Sequence, residues 1–184
     1  MTVAAIKPRK WTRAEYDRLI EQGVFHEDER LELIEGEILE MTPQNARHAG
    51  TVSLIYGALE ELLREAFSLR VQLPLALAED SEPEPDVAVV EGQARDFLQE
   101  HPKSAALVVE VADSSLPFDR RRKLPLYARN GIREVWIVNV VEGRLEVHRK
   151  PEGESFGEYE VLSAGDRVAS AVLRQPVAVA DLLP

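Results

Sequence analysis

The chain has 184 residues, of which 22 are Lys or Arg and 33 are Asp or Glu, giving a formal charge of −11, and 45% of them are apolar. A chain of this length forms one domain that buries roughly two-thirds of its unfolded surface without disulfide or metal staples. It has no cysteine, which excludes a disulfide framework, Cys-ligated zinc or iron–sulfur centres and thiol nucleophiles, and leaves oxygen- and nitrogen-based chemistry. Apolar runs such as Ala105–Val109 are strand-sized, well short of the roughly 18 residues that a membrane span requires. No apolar stretch follows Lys7, Arg9 and Lys10 as a secretory signal would demand. A cytoplasmic protein with no membrane partner is expected.

Residues 1–10 read as a flexible tail and residues 11–184 as a single domain. Thr12-Arg13-Ala14-Glu15 has the form of a capping box and opens a short helix, with Tyr16, Leu19 and Ile20 as its stripe, that stops at Gly23. Leu31–Met41 alternates apolar and acidic residues around Glu35-Gly36, the pattern of a β-hairpin. Asn45–Phe67 repeats Val52, Ile55, Leu59, Leu62, Leu63 and Ala66 at helical spacing, the strongest helix signal in the chain. Strands follow at Arg70–Ala78 and Asp86–Val90, separated by the acidic, proline-bearing Glu79–Pro85, which reads as a surface loop. Ala105–Val111 reads as a central strand buried on both faces. Pro117–Arg129 is helical in pattern, with a kink or split expected at Pro125, and Asn130-Gly131 ends it. Glu134–Val140 is a second buried strand, Arg144–Arg149 and Glu158–Leu162 alternate as antiparallel strands, and Val177–Leu183 closes the chain. This order predicts a mixed α/β or α+β layered fold.

Two acids stand out. Glu110 interrupts an otherwise apolar strand, and Asp86 heads Val87–Val90 directly after Pro85. Acids in buried strands need a partner or a cation, and two on neighbouring strands could share a hard cation such as Mg²⁺. Each alone is equally well explained as a strand end or a turn after proline. A third feature follows: Asp119–Arg133 carries six Lys or Arg against one Asp, a local charge of +5 in an acidic chain. Such a run suits a phosphate backbone, although a solvated helix face is the commoner meaning of clustered charge.

Pro85-Asp86, Val108-Val109-Glu110-Val111, Asp119-Arg120-Arg121-Arg122-Lys123-Leu124-Pro125-Leu126-Tyr127 and Gly131–Val138 together resemble the Uma family of restriction-endonuclease-like proteins, a bacterial branch of the PD-(D/E)xK nuclease superfamily. Upstream, Glu32–Ile38, Met41-Thr42-Pro43 and His48 extend the resemblance, which runs from about Trp11 over nearly the whole chain. It implies a restriction-endonuclease-like core, a central mixed sheet flanked by helices, with Asp86 and Glu110 as ligands of Mg²⁺ or possible Mn²⁺. The superfamily lysine two residues after the second acid is replaced by Ala112, and the resemblance assigns its role to Lys123 on the following helix. Spacings of four set Asp119, Lys123 and Tyr127 on one helix face, where Asp119 and Tyr127 would support the site, provided that Pro125 does not displace Tyr127. His48 is either a structural helix-start residue or a group that orients or deprotonates a water. One of the hairpin acids Glu32, Glu35 and Glu37 is expected to supplement the metal site, and Glu35 and Glu37 are carried forward for it.

The implied activity is Mg²⁺-dependent endonucleolytic hydrolysis of DNA, with Asp86, Glu110, Lys123 and His48 catalytic and Arg120, Arg121 and Arg122 holding the nucleic acid. A homodimer would suit cleavage of both strands. The alternative is a catalytically inactive, nuclease-like nucleic-acid-binding or regulatory module, for which the missing lysine and the acidic remainder speak. A two-carboxylate glycosidase fits less well, because such clefts are usually rich in aromatic residues and this chain has 6%.

Overall fold

The computed structural model describes residues 7–26 and 28–184. Of the expected tail, residues 1–6 lie outside the described residues. Arg9 and Lys10 are tied to the body, through Glu15 and Glu37 respectively. Trp11 N–H donates to the Gly36 carbonyl.

Helix α1 (Arg13–Glu21) begins with the predicted capping box: Glu15 N–H donates to Thr12 Oγ1, and Thr12 N–H to Glu15 Oε2. The hairpin is β1 (Leu31–Ile34) and β2 (Glu37–Glu40). Glu35 (φ 51°) and Gly36 (φ 75°) form its turn, both left-handed, which matches the twist of the strands. Helix α2 (Ala46–Leu62) is capped by Asn45, whose side chain accepts from His48 N–H. It ends five residues before the sequence pattern suggests, because Leu63 turns extended to bridge Leu173 and Arg64 N–H donates to the Val172 carbonyl. Long-range docking overrides the local helical stripe.

Phe67 instead opens β3 (Phe67–Val71). This strand stops well short of Ala78, since Gln72 turns to φ 51° and leaves the ladder. With β4 (Val87–Glu91), β5 (Leu107–Ala112), β6 (Glu134–Asn139), β7 (Arg144–Glu152) and β8 (Ser155–Leu162) it forms a six-stranded sheet in the order β3-β4-β5-β6-β7-β8. Only β5 and β6 run parallel. The connection between them supplies the helical segment of the site, as parallel neighbours require.

Side-chain alternation sorts the strands onto two cores. Val87, Val89, Val109, Val111, Trp136 and Val138 face α2 and the C-terminal segment. Ala88, Val90, Val108 and Val135 face Leu75, Tyr127 and Ile132. Glu110 shares the parity of Val108, and Asp86 that of Ala88, so both acids belong to the second face. The β4–β5 register pairs Val87 with Val109, which sets Asp86 across from Glu110.

The segment between β5 and β6 departs from a plain helix. Leu116–Phe118 (α3) leads into a π-turn over Asp119–Lys123, followed by α4 (Leu124–Arg129). Leu124 N–H donates five residues back, to the Asp119 carbonyl. The extra residue in this turn precedes Pro125, which has no N–H to give, so the chain widens where a kink was expected.

Glu79–Pro85 is not a surface loop. Ser81, Glu82 and Pro83 are buried because the hairpin docks on them. Glu82 and Leu33 exchange backbone hydrogen bonds, and Glu35 N–H donates to Ser81 Oγ. No helix among the described residues is long and apolar enough to cross a membrane.

Candidate active site

Asp86, Glu110, Asp119, Lys123 and Glu32 are all buried, each no more than 6% exposed, at the floor of a cleft of about 390 Å³. Five structural elements or their flanks contribute to it, and the fold explains each contribution. Asp86 sits at the entry to β4, held there by Pro85. Its Oδ2 accepts the Val111 N–H of the neighbouring strand at 2.8 Å, and its Oδ1 accepts from Gln72 Nε2 at 3.2 Å. His48 Nε2, at the start of α2, lies 3.2 Å from the same Oδ2, and His48 Nδ1 is buried without a partner.

Glu110 projects from β5 toward the helical segment. Tyr127 donates its hydroxyl to Glu110 Oε1 at 2.5 Å, and Lys123 Nζ lies 3.3 Å from the same oxygen. Lys123 also contacts Glu32 Oε2, from β1, at 3.2 Å. Asp119 Oδ2 accepts from Ser115 Oγ at 2.6 Å. The four-residue spacing of Asp119, Lys123 and Tyr127 therefore survives the π-turn, and all three turn inward.

Four carboxylates around one ammonium set the electrostatics. Burial pushes the Glu110 carboxyl up to about 8, with Lys123 opposing and Asp119 and Asp86 adding to the shift. Burial likewise raises Asp119 to about 6, against the pull of Lys123 and the Ser115 hydroxyl. For Lys123, burial disfavours the charge, but Glu110, Glu32, Asp119 and Asp86 outweigh it and its pKa rises. Lys123 is thus a permanent cation. Burial and Glu110 hold the Tyr127 hydroxyl in its protonated, donating form, well above its ordinary value.

The donor set is hard oxygen with negative charge in excess, which fits a divalent cation. Among the described residues no three His, Asp or Glu side chains form a ready-made cage. Mg²⁺ does not need one: it is usually held by one or two carboxylates, the rest of its shell being water and substrate phosphate. Asp86 and Glu110 are two buried carboxylates set across from each other on adjacent strands.

The remaining predicted residues are placed differently. Glu35 and Glu37 lie at the outer end of the hairpin, bound to Arg122, Arg129 and Lys10. Glu32, one of the three acids between which the sequence could not choose, is the one that meets Lys123. Arg120 forms a two-point pair with the buried Glu146, and Arg122 bonds both Glu35 and Glu37. Of the three arginines, Arg121 alone takes part in no ion pair among the described residues. Gln72 and Ser115, which position the acids, were missed, since nothing local in sequence marks them. A larger cleft of about 860 Å³, lined among others by Phe67, Phe97, Arg133 and Arg149, contains none of the predicted site residues.

A six-stranded mixed sheet flanked by helices, with acids on adjacent strands and a lysine brought in from the side, defines a nuclease-like fold. The comparisons agree. The family model Uma2, described as "Putative restriction endonuclease", matches residues 13–180, and the chain belongs to that family. In structure it is similar to a crystal structure described as "a putative nuclease belonging to DUF820" from Anabaena variabilis ATCC 29413, with a TM-score of 0.72 and 16% identity over 93% of this chain and 96% of that one. No curated protein matches the chain by sequence.

Proposed function

We propose that the protein is a divalent-metal-dependent nuclease that hydrolyses phosphodiester bonds in DNA at the Asp86–Glu110–Lys123 cluster. The observation that carries this reading is the buried Lys123 ammonium 3.3 Å from Glu110 Oε1, supplied by the helical segment that follows the strand on which Ala112 stands in place of a lysine. Asp86 and Glu110 would hold Mg²⁺ or Mn²⁺. When bound, such an ion polarises the scissile phosphate and lowers the pKa of a water.

The chain's own groups do the rest. Gln72 and the Val111 N–H fix the Asp86 carboxylate, and Tyr127 fixes Glu110, so both ligands are oriented before substrate arrives. Lys123, a permanent cation, stabilises the negative charge that grows on the phosphoryl oxygens, and it cannot serve as a base. His48 braces Asp86 and stands where it can orient a water. The competing reading, a nuclease-like module without turnover, would make Lys123 only a counter-ion for Glu32 and Glu110.

Incubation of plasmid and single-stranded DNA with Mg²⁺ or Mn²⁺ tests this. The wild type should cleave, and Asp86→Asn, matched for thermal stability, should not. Absence of cleavage by the wild type on every substrate would overturn the enzymatic reading in favour of the module.

A further inference from the structure

Lys123 and Asp119 reach the site from a segment whose local structure does not place it. Leu116–Phe118 is shorter than one helical turn, the π-turn over Asp119–Lys123 departs from the regular helical ladder, and Pro125 has no N–H to return to that ladder. Local hydrogen bonds therefore leave the depth and angle of the turn underdetermined, and contacts with the rest of the fold must fix them. Inside the cleft, Lys123 meets Glu110 at 3.3 Å and Glu32 at 3.2 Å. One residue after Asp119, Arg120 is held by Glu146: Arg120 Nε donates to Glu146 Oε2 at 3.0 Å, and Nη2 donates to Oε1. Neither Arg120 nor Glu146 lines the cleft.

Glu146 is a carboxylate of β7, 2% exposed, on the same face of the sheet as Glu110. The register pairs Ile137 with Glu110 on one side and with Glu146 on the other, so the three form one row across β5, β6 and β7. Neighbouring strands lie about 4.8 Å apart, which separates the backbones of the two acids by about 10 Å. Lys123 docks at one end of that row and Arg120 at the other. Burial works against the Glu146 charge, but His148, 3.8 Å away, and Arg120 outweigh it and hold the carboxyl below its ordinary value. A carboxylate bound at two points by a guanidinium fixes the arginine in angle as well as in position. Arg122 ties the same turn to the hairpin through Glu35 and Glu37, but both of those acids are at least a third exposed, which makes that tie the weaker one. Arg121, exposed and without an ion pair among the described residues, takes no part in the clasp.

Resting on the nuclease reading of the cleft, we propose that Glu146 is a positioning residue for the reaction: through Arg120 it seats the π-turn on the sheet and so holds Lys123 at Glu110. The pair stands outside the cleft, so its loss costs turnover and leaves substrate affinity in place.

Amide hydrogen exchange, and DNA cleavage kinetics in Mn²⁺, test this in wild type, Glu146→Gln, Arg120→Lys and the double variant. The Leu124 amide closes the π-turn on the Asp119 carbonyl. In Glu146→Gln it should exchange about tenfold faster while the amides of β4 and β5 keep their protection, the mark of a local opening. Turnover should fall by about 10- to 100-fold, the scale of a small misplacement of a catalytic group, with KM within about twofold of wild type. Arg120→Lys keeps the charge but loses the two-point geometry, so it should behave alike, and it carries the same test if Glu146→Gln does not fold. The double variant should turn over no more slowly than the slower single variant, because both act through one contact. Unchanged Leu124 protection, protection lost evenly across the sheet, or an effect confined to KM would overturn the inference even if the protein cleaves DNA. Loss of protection confined to the turn, in a protein that cleaves no DNA, would uphold the seating of the turn and sink the hydrolytic reading instead.

Discussion

Replacing Glu110 by Gln removes a charge that the fold barely tolerates without a cation, so it should stabilise the metal-free protein at neutral and higher pH. Glu110 is raised from 4.5 to about 8 by burial. Its protonated form therefore favours the folded state: the stabilisation is complete below pH 4.5 and is lost as pH rises through 8. At about 1.4 kcal/mol per pH unit between the two values, wild type gives up about 3 kcal/mol by pH 7 and at most about 5 kcal/mol above pH 8. That is a large part of a total stability of about 5–15 kcal/mol. Gln mimics the protonated acid at every pH, and Lys123 keeps its contact with Glu32. Urea denaturation in chelator at pH 5, 7 and 9 should show near-equal stabilities at pH 5 and a widening advantage for Glu110→Gln above it. A wild-type stability flat from pH 5 to 8, or a variant less stable than wild type at pH 8, would refute the reasoning.

The converse change, Lys123→Met, leaves Glu110 and Glu32 buried without their cation and should cost about 3–5 kcal/mol at pH 8, with part of the loss recovered at pH 5 as the acids protonate; a pH-independent loss under 1 kcal/mol would count against the cluster. Alanine at Arg121, the arginine of the run with no ion pair among the described residues, should reduce the slope of log DNA affinity against log salt by about 0.9, the value for one phosphate contact on duplex DNA, and an unchanged slope would mean that this face is merely solvated. Glu82, raised to about 7 by burial, should behave as Glu110 does away from the site: Glu82→Gln should stabilise the protein at pH 8 and not at pH 4, as read by thermal melting at both values.

The two central acids were legible because an acid inside an apolar strand has few explanations, and strand parity carries it to a definite face. The four-residue spacing of Asp119, Lys123 and Tyr127 was legible for the same reason, since helical geometry is local. What the sequence concealed depends on contacts between distant segments. Glu32 could not be preferred to Glu35 or Glu37 without knowing that Leu33 pairs with Glu82 and so fixes the hairpin's buried face. That pairing also buries Ser81, Glu82 and Pro83, whose composition is that of a loop. The ion-pair partners of Arg120 and Arg122 were hidden because they lie 26 residues away, at Glu146, and 85 residues away, at Glu37. The π-turn before Pro125 has no sequence signature beyond the proline itself.

The most direct test of the account is titration calorimetry of Mn²⁺ into wild type, Asp86→Asn, Glu110→Gln and the double variant, all confirmed as folded. A shared ion requires a binding event in the wild type that either single substitution abolishes, and the double variant should be no worse than the singles, because both carboxylates serve one ion. Unchanged Mn²⁺ affinity in either single variant would contradict the assignment of Asp86 and Glu110 as a metal-holding pair.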